Sequence, residues 1–159
     1  MFKSSWSTMS AITPDSVKQW AKTVDIVIIY TDGSYRENIG IGWAYIITSE
    51  DEEVIHSQSG CKNNKEAFKS RQIAGECAAV MNALCWCKEN KVKAIIYHDY
   101  IGVEKWATGE WKANKYVSQK YKDFIYNHKQ QLKKFIHVKA HSGNRLNDLV
   151  DSLAKKACN

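Results

Sequence analysis

Hydrophobic residues in the first half of the chain alternate or run together in a way that predicts strands. Residues 26–30 form a continuous run of β-branched and aromatic side chains, which is typical of a strand buried on both faces. Residues 40–48 and 53–59 predict two more strands, and the short polar connections favour an antiparallel meander. The polar residues 31–34, which follow the first strand, predict a turn.

The period of the pattern changes after residue 70. Apolar side chains then recur at steps of four and three, which predicts a helix over residues 70–89 with one buried face. The remaining predicted elements are a strand at 94–97, helices at 101–108 and 116–131, a strand at 135–138 and a helix at 146–157. Strands separated by helices are expected to lie parallel, with the connecting helices covering the sheet. The pattern therefore predicts an α/β domain.

The patterned part, residues 25–159, is expected to be one domain, because its length suffices for a single core. Residues 1–24 are polar and irregular and are expected to be an appendage. Within them, Thr13-Pro14-Asp15 is typical of a helix start, so a short helix to Trp20 is predicted. No apolar stretch is long enough to cross a bilayer, and the N-terminus lacks the apolar core of a signal peptide. We therefore expect a cytoplasmic, monomeric protein without a membrane or an obligate protein partner.

Composition narrows the class of protein only slightly. With 44% hydrophobic and 25% charged residues, the chain is neither disordered nor fibrous. A net charge of +6 favours binding to polyanions, although many basic proteins bind none. The five cysteines, odd in number and without a secretory signal, are expected to be reduced thiols. Cys85 and Cys87 do not have the spacing of a zinc knuckle.

Four acidic residues stand where acids are costly. Asp32 follows the most apolar strand and Asp99 follows the fourth strand, so both reach one edge of the sheet if these strands are parallel neighbours. Glu76 lies beside the apolar stripe of the first long helix, and Asp151 lies in the last helix. Clustered carboxylates repel one another, and a bound dication removes that cost. Oxygen ligands alone select a hard ion such as Mg²⁺ or Mn²⁺.

Each acid taken singly has an ordinary alternative, as a turn residue, a helix cap or a solvated side chain. The metal hypothesis, by contrast, explains all four together. Asp148 lies three residues before Asp151 and could face the same way, so it could share or replace the role of Asp151.

At this level of detail the chain resembles the ribonuclease H family. The resemblance covers residues 25–157 and rests on Thr31-Asp32-Gly33-Ser34, Ala74-Gly75-Glu76, His98-Asp99, His141-Ser142-Gly143, Asn147 and Asp151-Ser152-Leu153-Ala154. Residues 105–115 are similar to a bacterial branch that often carries a small hybrid-binding domain upstream. The segment before the domain is too short to be one.

The resemblance implies a ribonuclease H-like fold: a five-stranded mixed sheet, its first three strands antiparallel, with helices on both faces. It also implies cleavage of the RNA strand of RNA–DNA hybrids with two Mg²⁺ ions, for which Mn²⁺ could substitute, leaving 5′-phosphate and 3′-hydroxyl ends. Asp32 would bridge both ions, Glu76 and Asp99 would hold the ion on the leaving-group side, and Asp151 would hold the ion that activates water. His141 would assist water activation or product release.

Contacts to the hybrid are expected from two regions. One lies around the first turn and the start of the long helix, and the other is the aromatic and basic stretch after the fourth strand. The predicted substrate-binding residues are Ser34, Asn38, Gln72, Trp106, Lys112 and Asn147. Gln72 replaces an asparagine common in relatives, and Tyr100-Ile101 replaces Ser-Gln. The alternative for the aromatic and basic stretch is that its tryptophans are core residues and its lysines a solvated face.

Two other functions fit the same pattern. A metal-dependent DNA nuclease or resolvase would have similar acids on a similar sheet, although the Asp-Gly-Ser and His-Ser-Gly sequences favour the ribonuclease. A non-catalytic hybrid-binding module would be expected to lack one or more of the acids, and all four are present.

Overall fold

Five strands and the helices between them make up most of residues 13–159, which are the residues that the computed structural model describes. The strands are β1 Ile26–Arg36, β2 Gly40–Thr48, β3 Val54–Lys62, β4 Lys93–His98 and β5 Leu132–His137. The α-helices are α1 Pro14–Ala21, α2 Lys65–Phe68, α3 Gln72–Asn90, α4 Gly102–Thr108, α5 Tyr116–His128 and α6 Arg145–Lys156. A 3₁₀ turn at Lys129–Gln131 extends α5. The sequence had not predicted the four-residue helix α2.

The strands form one sheet in the order β3-β2-β1-β4-β5. Strand β2 pairs antiparallel with both β1 and β3, whereas β4 pairs parallel with both β1 and β5. The predicted mixed sheet, with an antiparallel meander followed by parallel strands, is confirmed. Strand β1 is central, and its carboxyl end lies beside that of β4.

The predicted turn at residues 31–34 is wrong. Strand β1 continues to Arg36, and its residues 31–34 pair with residues 45–42 of β2. The ladder to β4 stops at Tyr30, opposite Tyr97, so beyond this point β1 is paired on one side only. Thr31 and Asp32 are nevertheless buried there, and Gly33 and Ser34 are half-buried. The chain reverses instead around Asn38, whose φ is 63°.

Helices cover both faces of the sheet, as predicted. On one face, α3 and α5 pack over the larger core, which includes the fully buried Ile29, Leu84 and Tyr121. On the other face, α6 alone packs over a smaller core around Ile46 and Val150. No helix within residues 13–159 is both long and apolar enough to cross a membrane.

The predicted N-terminal helix is present as α1. Thr13 caps it, because its Oγ1 accepts a hydrogen bond from the backbone N–H of Ser16 at 3.1 Å. Val17 and Ala21 are buried, and Trp20 packs against the larger core, so this helix is attached to the domain. The rest of the predicted appendage, residues 1–12, lies outside the described residues.

A disulfide joins Cys61 to Cys158, so the expectation that all five cysteines are reduced is wrong for these two. Their Cα atoms are 5.1 Å apart. Cys61 pairs with Gly42 across the sheet, and α6 crosses the same glycine so closely that a Cβ there would lie 2.2 Å from the Ala154 carbonyl oxygen. This crossing brings Cys158 beside Cys61. The sequence could not predict the pair, because the two cysteines are 97 residues apart.

Candidate active site

Three carboxylates meet just beyond the point where the pairing of β1 with β4 ends. One oxygen from each of Asp32, Glu76 and Asp99 lies within 4.8 Å of the others, and no other group of this kind occurs in residues 13–159. We call these three residues the acidic triad. The prediction that their carboxylates converge is correct.

The parallel pairing of β1 and β4 brings two members of the triad together. Tyr30 is opposite Tyr97 in the last paired position, and Asp32 and Asp99 each stand two residues farther along. Successive side chains in a strand alternate between faces, so a two-residue step keeps these acids in register with that pair. This is the placement expected for residues at the carboxyl ends of neighbouring parallel strands.

Close contact between two glycines brings Glu76 to the same place. A Cβ on Gly33 would lie 2.1 Å from the backbone nitrogen of Glu76, and a Cβ on Gly75 would lie 2.2 Å from the carbonyl oxygen of Gly42. Helix α3 can therefore lie against the strands only because these positions carry no side chain. Asp32 and Glu76 are thus brought together because each is next to one of the two glycines whose backbones are in contact.

Burial makes the triad electrostatically costly as it stands. Asp32 is 2% exposed and Glu76 is 6% exposed, and Asp32 Oδ2 and Glu76 Oε1 have no hydrogen-bond partner among the described residues. Burial raises the pKa of Asp32 to about 7, and the charge of Asp99 adds to the effect. Burial also raises the pKa of Glu76 well above its usual value, and the adjacent Asp32 raises it further.

Asp99 is less buried than the other two carboxylates of the triad. Burial raises its pKa, and the charge of Asp151 acts in the same direction. The Asn147 side chain hydrogen-bonds to it, which lowers the pKa, as does the charge of His141. Asn147 is itself 2% exposed, so it supports Asp99 from inside the domain.

Asp151 stands next to the triad without belonging to it. Its carboxyl group interacts with Asp32 and raises the pKa of Asp32. Its Oδ2 also lies 3.0 Å from the Lys155 ammonium, one helical turn away. Asp148 is exposed, so the structure favours Asp151 over Asp148 as the acid from α6.

The donor set fits a hard divalent cation. The triad and Asp151 supply carboxylate oxygens only, which are the ligands that Mg²⁺ and Mn²⁺ prefer. Buried oxygens without hydrogen-bond donors are destabilising unless a cation or a proton neutralises them. A dication would therefore relieve the repulsion within the triad.

Comparison with known proteins decides the family. Residues 24–159 match the family described as RNase H. The chain belongs to the ribonuclease H family. Ribonuclease H from Wolbachia pipientis wMel is 33% identical over 146 residues, covering 82% of this chain and 94% of that protein. Ribonuclease H from Treponema denticola is 32% identical over 160 residues, covering 82% and 95%.

Solved structures agree on the ribonuclease H fold. RNase H1 from the halophilic archaeon Halobacterium salinarum superposes with a TM-score of 0.68 at 20% identity, covering 83% of this chain and 96% of that one. LC11-RNase H1 in complex with an RNA/DNA hybrid gives a TM-score of 0.63 at 20% identity, covering 84% and 99%. Members of the ribonuclease H family are hydrolytic endonucleases that cut the RNA strand of such hybrids.

The other predicted site residues differ in burial. Ser34 is half-buried in β1, whereas Asn38 is exposed at the tip of the β1–β2 hairpin. Gln72 and Trp106 line one cavity of about 400 Å³, together with Arg71 and Lys115.

Lys112, also predicted to bind substrate, is exposed after α4. The alternative for this stretch holds in part, because Trp106 packs against the larger core while also lining the cavity. His141 is exposed in the loop before α6, with a left-handed φ of 54°. As functional assignments, all of these remain predictions.

Sequence reasoning missed a group of side chains behind Asp99. His98 is fully buried, with its ring 3.0 Å from a carboxylate oxygen of Glu104. His137 contacts the backbone carbonyl of Asp99 at 3.0 Å. The signal in the sequence was a histidine directly before Asp99, followed six residues later by a glutamate.

Proposed function

We propose that this chain hydrolyses the RNA strand of RNA–DNA hybrids with two Mg²⁺ ions, leaving 5′-phosphate and 3′-hydroxyl ends. The observation that carries the proposal is the acidic triad, whose buried oxygens need a positive partner. Family membership supplies the reaction class. Mn²⁺ has the same preference for oxygen ligands and would be expected to substitute.

Asp32, Glu76, Asp99 and Asp151 would hold the ions. Bound Mg²⁺ would lower the pKa of a water molecule and stabilise the charge that develops on the attacking and leaving oxygens. Asp32 has neighbours on both sides, Glu76 and Asp99 within the triad and Asp151 beside it, which supports its role as the shared ligand. Asn147 would keep the Asp99 carboxylate oriented.

His141 is proposed to move a proton at the edge of the site. It is exposed, and its charge acts on Asp99, so it lies near the triad while remaining open to solvent. An imidazole has one ring nitrogen that can accept a hydrogen bond and one that can donate. This position fits assistance to water activation or to product release.

Two surfaces beside the triad are proposed to bind the hybrid. Ser34 and Asn38 on the β1–β2 hairpin would recognise the RNA strand, for which the 2′-hydroxyl is the distinguishing group. The cavity that contains Gln72 and Trp106 also has two basic neighbours, Arg71 and Lys115. Together with the exposed Lys112, this surface combines stacking groups with phosphate-neutralising charge.

One cleavage assay tests the proposal. The protein is incubated with end-labelled RNA–DNA hybrid, duplex DNA and duplex RNA, each with and without Mg²⁺. Cleavage confined to the RNA of the hybrid and dependent on Mg²⁺ is expected, and an Asp32→Asn variant should bind the hybrid without cutting it. Equal cutting of duplex DNA would favour the DNA nuclease, and binding without cleavage would favour the hybrid-binding module.

We also propose that residues 25–159 are the catalytic domain of a cytoplasmic monomer that needs no protein partner, with residues 1–24 as an appendage. Absence of a membrane-spanning helix in residues 13–159 and the match to bacterial ribonucleases H support this assignment. A reducing cytoplasm opposes the Cys61–Cys158 bond. Alkylation of thiols in rapidly quenched cells would measure whether these cysteines are oxidised there.

A further inference from the structure

His98 is a fully buried histidine that has a hydrogen-bond acceptor at each ring nitrogen. Nδ1 lies 3.0 Å from the carbonyl oxygen of Tyr100, and Nε2 lies 3.0 Å from Glu104 Oε1. A carbonyl can only accept a hydrogen bond, so Nδ1 carries a proton and donates it. Nε2 is within hydrogen-bond distance of the Glu104 carboxyl group, so the ring stands between the Glu104 side chain and the backbone at Tyr100.

These contacts, with one from His137, enclose the backbone that carries Asp99. The His98 ring bonds the carbonyl of Tyr100, one residue beyond Asp99. His137 Nε2 lies 3.0 Å from the carbonyl of Asp99 itself, and the backbone N–H of Val138 donates to the carbonyl of His98 at 2.8 Å. Each peptide carbonyl from His98 to Tyr100 therefore has a partner.

Glu104 is held where it can fix the ring. It lies in the first turn of α4, where a carboxylate is favoured by the helix dipole. Helix α4 is anchored in turn, because the buried Tyr121 hydroxyl donates to the carbonyl of Val103 at 2.6 Å. The interaction thus connects a packed helix to the turn at the end of β4.

We propose that His98 and Glu104 form a positioning pair that fixes the backbone turn at Asp99 and so orients its carboxylate toward Asp32 and Glu76. Neither residue touches the reacting atoms. The inference rests on the proposed function, in which Asp99 is a metal ligand. Partners that orient a metal ligand commonly change metal affinity by about tenfold or more when they are removed.

The test measures Mn²⁺ binding to the hybrid-free full chain by calorimetry, alongside the Mg²⁺ concentration that gives half-maximal cleavage. Three variants address the pair: E104L removes the hydrogen bond, E104Q keeps a donor to Nε2, and H98F fills the buried site with a ring that cannot bond. E110L is the matched control, since Glu110 is an exposed acid just beyond the end of the same helix, where it pairs with Lys105. Thermal unfolding without metal verifies that each variant is folded.

E104L is expected to weaken Mn²⁺ binding by about tenfold and to raise the half-maximal Mg²⁺ concentration by a similar factor. E104Q should retain wild-type binding, as should E110L. Because the two side chains act as one unit, the H98F/E104L double variant should lose no more than H98F alone. If E104L does not fold, weaker Mn²⁺ binding by H98F with retention by E104Q supports the pair.

Three results would overturn the positioning pair. The first is wild-type Mn²⁺ affinity in E104L or H98F, and the second is a loss of affinity in E104Q as large as that in E104L. The third is a loss of affinity in the double variant equal to the product of the two single losses. An Asp99→Asn variant separates this outcome from failure of the proposed function. If D99N itself binds Mn²⁺ normally, the role of Asp99 as a ligand is wrong. If D99N loses binding while E104L keeps it, only the positioning pair is wrong.

Discussion

The acidic triad and Asp151 contribute carboxylates to one site, but they are attached to the molecule in different ways. The triad lies on β1, on α3 and directly after β4, and all three elements contribute residues to the larger core. Asp151 comes from α6, which covers the opposite face alone, over a smaller core, and is tied to β3 through the following Cys158. Asp32 and Glu76 are buried and Asp99 is half-buried, and the Asp151 side chain is 24% exposed and paired with Lys155.

The difference predicts two kinds of ligand. Buried, closely packed carboxylates are preorganised, so they hold a cation at little cost in side-chain order. Asp151 would have to give up its ion pair with the Lys155 ammonium to bind a metal ion. Ion pairs near the surface contribute little to protein stability, so this exchange costs little. We therefore expect the triad to dominate catalysis and Asp151 to modulate it.

Asp32→Asn should give the largest effect. It removes the carboxylate that we propose as the ligand shared by both metal ions. Cleavage should fall by about 10³-fold, because several kcal/mol of charge stabilisation in the transition state would be lost. The same change removes repulsion, so the metal-free variant should unfold at a higher temperature than the wild type. Cleavage of end-labelled hybrid and metal-free thermal unfolding measure the two effects. If D32N cleaves the hybrid at the wild-type rate, the expectation that the triad dominates catalysis is wrong.

Asp151→Asn should reduce cleavage by a smaller factor, about 10- to 100-fold, because the triad keeps its geometry. Asp148→Asn is the matched control, since this exposed acid lies on the same helix and should leave the rate unchanged. Rates for both variants are compared across a Mg²⁺ titration. A loss for D151N as large as that for D32N would show that α6 is no less important than the triad.

Loss of the Cys61–Cys158 disulfide should destabilise the protein by about 2–4 kcal/mol, because the bond closes a long loop. Cys61→Ser tests this by denaturant unfolding, and Cys85→Ser, which removes an exposed free thiol, is the control. The bond fixes the end of α6, which carries Asp151. In the Cys61→Ser variant, the rate of hybrid cleavage should therefore fall by a larger factor than the affinity of the triad for Mn²⁺. An unchanged unfolding midpoint would contradict the role of the bond.

The free energy of unfolding of the metal-free protein should depend on pH through Asp32. Its pKa is raised from an unfolded value near 4 to about 7, so the folded state binds the proton more tightly. The resulting stabilisation is present below about pH 4 and is lost as pH rises toward 7, a change on the order of a few kcal/mol. Excess Mg²⁺ should flatten the curve, and D32N should reduce this dependence without abolishing it, because burial also raises the pKa of Glu76. Metal-free stability that rises over this range would have the wrong sign.

Much of the fold could be predicted because hydrophobic period is a local property. The apolar run at residues 26–30 predicts a strand buried on both faces. The apolar stripe through Cys77, Val80 and Leu84 predicts a helix buried on one face, so in both cases the sequence shows the kind of element. The end of β1 could not be predicted in this way. Residues 31–34 have the composition of a turn, and only pairing with β2 makes them a strand.

For the site, the sequence by itself determined which acids follow buried strands, and hence that Asp32 and Asp99 reach one edge. Only the tertiary structure decided that Gly33 and Gly75 let α3 bring Glu76 into contact, and that His98 and Glu104 support Asp99. The same holds for the bond between Cys61 and Cys158. Periodicity records the burial of each segment, whereas contacts between distant segments depend on how closely their backbones approach, which spacing along the chain does not encode.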